Sequence, residues 1–296
     1  MKNDNRNSGF IEYMQEIALK SILFEVAATP KPGLVDRDNQ GAHSDMDFFT
    51  FMASSAALSS VFAECSRKGL DYPSADFPGL LSWIRPIGLA AEKRMFQATG
   101  GVNTHKGLVF SLGIICAAAG SIYRDTGNQV FTAEQISNRV KEIGAGITAR
   151  ELKNIDRSRA RTKGEKIYLQ YGVKGVRGQV ESGYSTVIAV ALPVLKEMRR
   201  EHSIALNNAF IQVLLHLMTV TEDSNVIGRL GLAMLDEMQA RAKKALYLGG
   251  ILTEEGRKYI EQMDRDFIMR GISPGGSADL LAVTIMLYLL ETGGII

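Results

Sequence analysis

From Phe10 to Ala28 the apolar positions Ile11, Met14, Ile17, Ala18, Leu23, Phe24 and Val26 recur at mostly helical intervals, the mark of one buried helix face. This spacing predicts a first helix. Thr29-Pro30-Lys31-Pro32-Gly33 closes it, because proline lacks the N–H that would continue the ladder and restricts the residue before it. Residues 1–9 are polar and predict a disordered tail. The same periodicity predicts helices over about 44–68, with Ser44 or Asp45 as cap, then 80–98, 108–123 and 132–143, with Thr132 as cap. Further helices are predicted over 184–200, kinked at Pro193, and over 203–219, 230–248, 253–269 and 280–290. No stretch alternates long enough for a strand, and neither a repeat nor a convincing linker emerges. The fold class is therefore all-α: a single compact multi-helix domain over 10–296, with polar glycine-rich loops between apolar helices.

Four of those loops concentrate the polar chemistry: 29–45, 99–107, 221–229 and 271–279. The second, Thr99-Gly100-Gly101-Val102-Asn103-Thr104-His105-Lys106-Gly107, runs straight into an apolar helix. A helix start exposes unpaired N–H groups and the positive end of the dipole, so this is either a phosphate cradle or an ordinary helix capped by Asn103 or Thr104. It is not a P-loop, whose glycine precedes Lys-Ser/Thr after a strand. The least regular section is 144–183. Within it, residues 150–177 carry nine basic side chains (Arg150, Lys153, Arg157, Arg159, Arg161, Lys163, Lys166, Lys174, Arg177) against Glu151, Asp156 and Glu165. That excess reads either as a solvated loop or helix pair, or as a wall that neutralises a polyanionic substrate.

Composition narrows the class. With 46% hydrophobic and 22% charged residues and a net charge of +2, the chain reads as a soluble globular protein without the basic excess of a general nucleic-acid or membrane-surface binder. The longest apolar run, 108–120, is too short to span a bilayer. The N-terminus lacks the apolar stretch of a signal peptide. Cys65 and Cys116 each sit in apolar sequence and read as buried free thiols of a cytoplasmic protein.

Together the loops offer acids (Asp36, Asp45, Asp223, Asp279), cations (Lys31, Arg37, Lys106, Arg229), His43 and His105, and Asn103 and Asn225. This inventory suits a nucleoside polyphosphate with Mg²⁺, which takes one or two carboxylates plus substrate phosphates. It does not suit zinc, for want of a tight His/Cys pair, nor a Gly-x-Ser-x-Gly hydrolase. His216, within an apolar helix, reads as a core residue.

Read in order, these loops resemble the triphosphoribosyl-dephospho-CoA synthases of citrate lyase and malonate decarboxylase systems. The matching pieces are Thr29-Pro-Lys-Pro-Gly-Leu-Val-Asp-Arg37 with Gly41-Ala-His-x-Asp-Met46, and Thr99 to Gly107. They continue with Gly175-Val-Arg-Gly178 and Ser182-Gly183, Asp223-x-Asn225 with Arg229, and Ser273-Pro-Gly-Gly-Ser-Ala-Asp-Leu-Leu281. Two positions depart from the family pattern: Ser224 stands where Thr is usual, and Gln179 where Glu is frequent.

The resemblance implies transfer of the triphosphoribosyl group of ATP to the ribose 2′-hydroxyl of 3′-dephospho-CoA, with release of adenine. The product is the precursor of an acyl-carrier prosthetic group. It implies Asp45, Asp279, His43 and His105 as catalytic candidates. Lys31, Arg37, Gly100, Gly101, Asn103, Thr104, Lys106, Arg177, Asn225, Arg229, Ser273, Gly275 and Gly276 become substrate-binding candidates, and Asp36 and Asp223 candidates for Mg²⁺. The expected partners are ATP, 3′-dephospho-CoA and, functionally, an acyl-carrier subunit of citrate lyase or malonate decarboxylase; nucleic acid and membrane are not expected, and a homodimer is compatible. A nucleoside or ADP-ribosyl hydrolase using water as acceptor, and a non-catalytic CoA-nucleotide binding protein, are the alternatives.

Overall fold

The computed structural model describes residues 2–296 apart from Asn154, Asp156, Arg157, Arg159 and His202, so two basic residues of the 150–177 run lie outside the described residues. The described residues form helices and connecting loops, with no strand. Two helices make the core: α4 (Lys106–Thr126) and α14 (Gly275–Glu291). Between Leu108 and Tyr123 every residue of α4 except Phe110 is buried. A helix apolar on all sides has to be surrounded. α1 (Lys2–Ala27), α2 (Phe48–Asp71), α3 (Phe77–Ala98) and α5 (Ala133–Gly144) cover one side of this pair. The pair α2 and α4 lies close because small residues let the backbones meet. A side chain at Gly69 would overlap the Ala117 carbonyl, and one at Gly120 the Ser66 carbonyl.

α2 and α4 are, by length and apolar composition, long enough to cross a bilayer, so the 108–120 run understated α4. In α4, however, 83% of the apolar window is buried within the fold, against 33% in α2. The first helix also reaches further than expected. α1 starts at Lys2 and takes in residues 2–9, expected as a tail, since extending an existing helix costs far less than nucleating one. The cap of α2 is Asp47, not Ser44 or Asp45. The Asp47 carboxylate accepts the Thr50 N–H at 2.8 Å, and Thr50 Oγ1 accepts the Asp47 N–H at 3.2 Å, a reciprocal box that fixes the start.

The irregular middle contains three short helices, α6 (Ile147–Glu151), α7 (Lys163–Tyr171, capped by Thr162) and α8 (Gly175–Glu181). They are too short to show a period in the sequence. Ahead of Pro193 lies a π-helical turn, Val187–Ala191, that leads into α9 (Leu192–Arg200). The irregularity thus falls a turn before the proline, because Pro193 has no N–H for the carbonyl four residues back and its ring crowds that carbonyl. α10 (Leu206–Met218), α11 (Ser224–Leu230), α12 (Leu232–Tyr247) and α13 (Glu254–Arg270) complete the assembly. α11 lies inside what the sequence reads as a polar loop, with Asp223 as its cap.

Candidate active site

The four polar loops gather at one end of the helix assembly, and the start of α14 is where they meet. His43 Nε2 lies 3.0 Å from Ser273 Oγ, joining loop 29–45 to loop 271–279. The Asp223 carboxylate accepts the Ser277 N–H at 2.8 Å, joining loop 221–229 to the same turn. A side chain at Gly107 would overlap the Asp279 carboxylate, so α4 and α14 start in contact only because that residue is glycine.

Beside this junction a cavity of about 850 Å³ opens between α3, α4, α7, α8, α11 and α14, near the upper end of the range for small-molecule sites. Arg85, Lys106, Arg161, Lys163, Lys174 and Arg177 line it, against the acids Glu92, Glu151, Glu222 and Asp279. Two of those acids are already paired. Glu92 meets Lys106 at 2.8 Å, and Glu151 meets Arg177 at 2.7 Å and also pairs with Arg85. Burial works against the Glu151 charge, yet hydrogen bonds from Arg177 and Arg85 hold its carboxyl below the usual range. Glu222 and Asp279 carry no ion pair among the described residues. Burial pushes the Asp279 carboxyl well above its ordinary value, and the negative charges of Glu25 and Asp223 add to the shift.

Of the candidates from sequence, Asn103, Lys106, Arg177, Asn225, Gly276 and Asp279 line this cavity. The others do not. Lys31 is 1% exposed and its ammonium lies 2.5 Å from Glu25 Oε1 and 2.8 Å from the Glu25 carbonyl, so it neutralises a buried acid. Asp36 is buried and accepts backbone N–H groups of Lys31 (2.9 Å), Asp38 (2.8 Å) and Asn39 (3.1 Å), which knits its loop. Asp223 accepts from the N–H groups of Asn225 (3.0 Å) and Ser277 and from Ser277 Oγ (3.1 Å), clamping α11 to α14. Both carboxylates are thus engaged by hydrogen bonds on each oxygen. Neither fits an Mg²⁺ cage, and no group of three or more His, Cys, Asp or Glu suited to a metal occurs among the described residues.

Arg37 is turned outward to Asn207 at 3.2 Å. Gly100 and Gly101 have φ of 64° and 94° and turn the chain between α3 and α4, while Gly275 packs against the Asn225 amide. Asp45 is largely exposed, 3.6 Å from His43 Nδ1. His43 and Ser273 engage each other beside the cavity, and burial together with the Arg229 charge lowers the His43 pKa. Arg229 lines a smaller hollow of about 320 Å³ with Lys163, Lys166 and Tyr171. His105 is buried under the α4 start, its Nδ1 2.7 Å from Ser54 Oγ, which Thr104 Oγ1 also contacts at 2.7 Å. Burial first, then the Lys31 charge, brings the His105 pKa down to about 3. A neutral, enclosed imidazole of that kind braces the loop.

Sequence reasoning missed Arg85 and Glu92, which sit on α3 with nothing in the sequence to separate them from a solvated face. Gln179 also lines the cavity, and its Oε1 is buried without a hydrogen-bond partner. The His105 Nε2, away from the cavity lining, shares that condition. Orphaned polar atoms are rare in folded proteins, so the unpaired Gln179 Oε1 marks a lining position able to take a donor from a ligand.

The family pattern of the ATP:dephospho-CoA triphosphoribosyl transferases matches residues 11–295, nearly the whole chain. The chain belongs to this family. It is 40% identical over 276 residues to the 2-(5''-triphosphoribosyl)-3'-dephosphocoenzyme-A synthase of Klebsiella pneumoniae, covering 93% of this chain and 90% of that one. It is 41% identical to the synthase of the same name from Escherichia fergusonii, covering 90% and 86%. A protein of Archaeoglobus fulgidus described as a triphosphoribosyl-dephospho-CoA synthase shares the fold. The TM-score is 0.50 at 22% identity, over 81% of this chain and 98% of that one. The hydrolase and the non-catalytic binding protein gain no support from these relatives.

Proposed function

We infer that this chain transfers the triphosphoribosyl group of ATP to 3′-dephospho-CoA, with the ribose 2′-hydroxyl as acceptor and adenine as leaving group. In this reaction the C1″–N9 bond of ATP breaks and a bond from C1″ to the acceptor oxygen forms. The hydroxyl proton is matched by one delivered to adenine. The observation that carries the reading is the cavity itself: a cationic wall facing one deeply set, unpaired carboxyl. Lys106, Lys163, Lys174 and Arg177 can neutralise the phosphates of two anionic substrates. The first turns of α4 and α14 add positive dipole ends, the N–H groups of the α14 turn being taken up by Asp223, Ser273 and Pro274.

Asp279 has the place and the chemistry to face the reacting centre. As an anion it stabilises the positive charge that develops at C1″. Its pKa, raised by burial, also suits it to take and return a proton. The amides of Asn225 and Gln179 can serve base edges, as amides pair with the N6/N7 edge of adenine. Mg²⁺ fits here only as a companion of the triphosphate, since Asp36 and Asp223 are engaged in the fold. The product's chemistry supports a role in supplying the acyl-carrier subunit of a citrate lyase or malonate decarboxylase. The two free, buried cysteines suit a reducing cytoplasmic setting.

The test is incubation with ATP, Mg²⁺ and 3′-dephospho-CoA, scoring adenine and the mass of the CoA product. Adenine that appears only when both substrates are present is expected. Adenine from ATP alone, at an equal rate and without a heavier CoA species, would overturn the transfer in favour of hydrolysis.

A further inference from the structure

The cavity has two unlike walls. α7 and α8 bring Lys163, Lys174 and Arg177 to it, whereas α3 faces it with two adjacent rows at four-residue spacing, Leu81-Arg85-Leu89 and Ile84-Gly88-Glu92-Phe96. Both charged members of those rows are already matched: Arg85 pairs with Glu151, and Glu92 meets Lys106 at 2.8 Å. What remains of α3 toward the cavity is an apolar strip, with Leu89 56% exposed near its middle. From Ile84 to Phe96 the strip runs for about 18 Å, at 1.5 Å of rise per residue. Phe110 lines the same cavity one turn along α4 from Gly107, so apolar lining also begins one turn from the Asp279 contact.

Gly88 keeps the middle of the strip open. Glycine inside a helix lowers its stability relative to alanine, and a positive φ or a close neighbour is the usual reason for it. Gly88 has neither: its φ is not positive, and a side chain there would meet nothing within 4 Å. Gly69 and Gly120 are the opposite case, each pressed against a backbone carbonyl of the facing helix. The missing side chain at Gly88 therefore enlarges the cavity and serves no contact within the protein.

We propose that this strip binds the pantetheine arm of 3′-dephospho-CoA, with Gly88 making room for it. The assignment rests on the transfer reading above and adds where the acceptor lies. Of the pieces that the two substrates bring, the phosphates call for cations, and a purine covers only one to two helical turns, about 5–11 Å. The arm is the long uncharged piece, carrying a gem-dimethyl group, two amides and a terminal thiol. An apolar strip of more than three turns beside a cationic wall matches a ligand that joins an extended neutral chain to phosphates. Leu89, open to water in the free protein, gains from being covered. Because the arm does not react, it is bound alike in the ground state and the transition state, and its loss shows in KM rather than kcat.

The experiment measures initial rates of adenine release for the wild type, Gly88→Phe and Leu89→Gln, varying ATP and 3′-dephospho-CoA in turn. ADP, which is 3′-dephospho-CoA without its arm, is added as competitor at saturating ATP, so that its inhibition constant reports the acceptor site. In the wild type this constant should exceed KM for 3′-dephospho-CoA by about tenfold or more. Gly88→Phe should raise KM for 3′-dephospho-CoA about tenfold, with kcat and KM for ATP within about threefold and the ADP constant within about twofold. Leu89→Gln alters an exposed position, should act in the same sense by about threefold, and carries the test if Gly88→Phe does not fold. Equal constants for ADP and 3′-dephospho-CoA in the wild type overturn the proposal, as does a variant that weakens both alike. A rise confined to KM for ATP gives the strip to the adenine of ATP, and unchanged constants leave it without a substrate. Each of these results overturns the proposal while the transfer stands. A wild type that releases no adenine overturns the transfer reading itself.

Discussion

Asp223→Ala separates a structural clamp from a metal ligand. The carboxylate accepts the Asn225 N–H at 3.0 Å, the Ser277 N–H at 2.8 Å and the Ser277 hydroxyl at 3.1 Å, with Asp223 and Ser277 both fully buried. Alanine removes the helix cap, worth about 1 kcal/mol. It also strands buried N–H donors at about 1–3 kcal/mol each. Against this, alanine removes the cost of desolvating the carboxylate, the same burial that raises its pKa. The net loss should be about 2–4 kcal/mol, which lowers Tm by about 3–6 °C in a domain of this size. Calorimetric melts with EDTA and no nucleotide read this directly. Asp223→Asn should fall between the two, since its amide keeps one acceptor oxygen. A variant that melts within about 1 °C of wild type in EDTA, but whose activity needs more Mg²⁺, would refute the clamp and restore the metal reading.

Three further outcomes follow from the same geometry. Lys31→Met should destabilise by about 3–5 kcal/mol in a denaturant titration, less whatever Glu25 recovers by taking a proton, because it leaves a buried acid without its partner. A change confined to KM for ATP would place Lys31 on the substrate instead. Gly107→Ala should lower kcat by about 100-fold or more while Tm moves by only a few degrees, since the methyl group meets the Asp279 carboxylate rather than backbone. Retained activity would remove Asp279 from the reacting centre. His105 has a folded pKa of about 3 against an ordinary value of 6.5, so its contribution to stability is full above pH 6.5 and falls away as pH drops toward 3. Melts between pH 7 and 4 should show this decline in the wild type and a flatter curve in His105→Phe. Equal slopes would contradict the buried neutral imidazole.

The sequence alone carried the all-α architecture and most helix spans, because long amphipathic and apolar helices write their period into 3.6-residue spacing. It also carried the four loops, since glycine, proline and clustered polar residues announce breaks between helices. Short helices such as α6, α8 and α11 escaped, being under two or so turns long. Within the loops, residue type could not distinguish a cation that meets substrate from one that meets a buried acid. Lys106 and Lys31 looked alike, and only the fold sets one at the cavity and seals the other against Glu25. The four aspartates, two read as catalytic and two as Mg²⁺ candidates, were no easier to separate by residue type. Asp36 and Asp223 proved to be consumed by backbone N–H groups, Asp45 exposed, and Asp279 alone of the four reached the cavity. The loop 99–107 reads in sequence as either a phosphate cradle or an ordinary capped helix start. In three dimensions the centre is the start of α14, where loops distant in sequence meet. A linear chain lists the groups available for chemistry; which of them keep a free lone pair or an unpaired charge is decided only when their neighbours are packed around them.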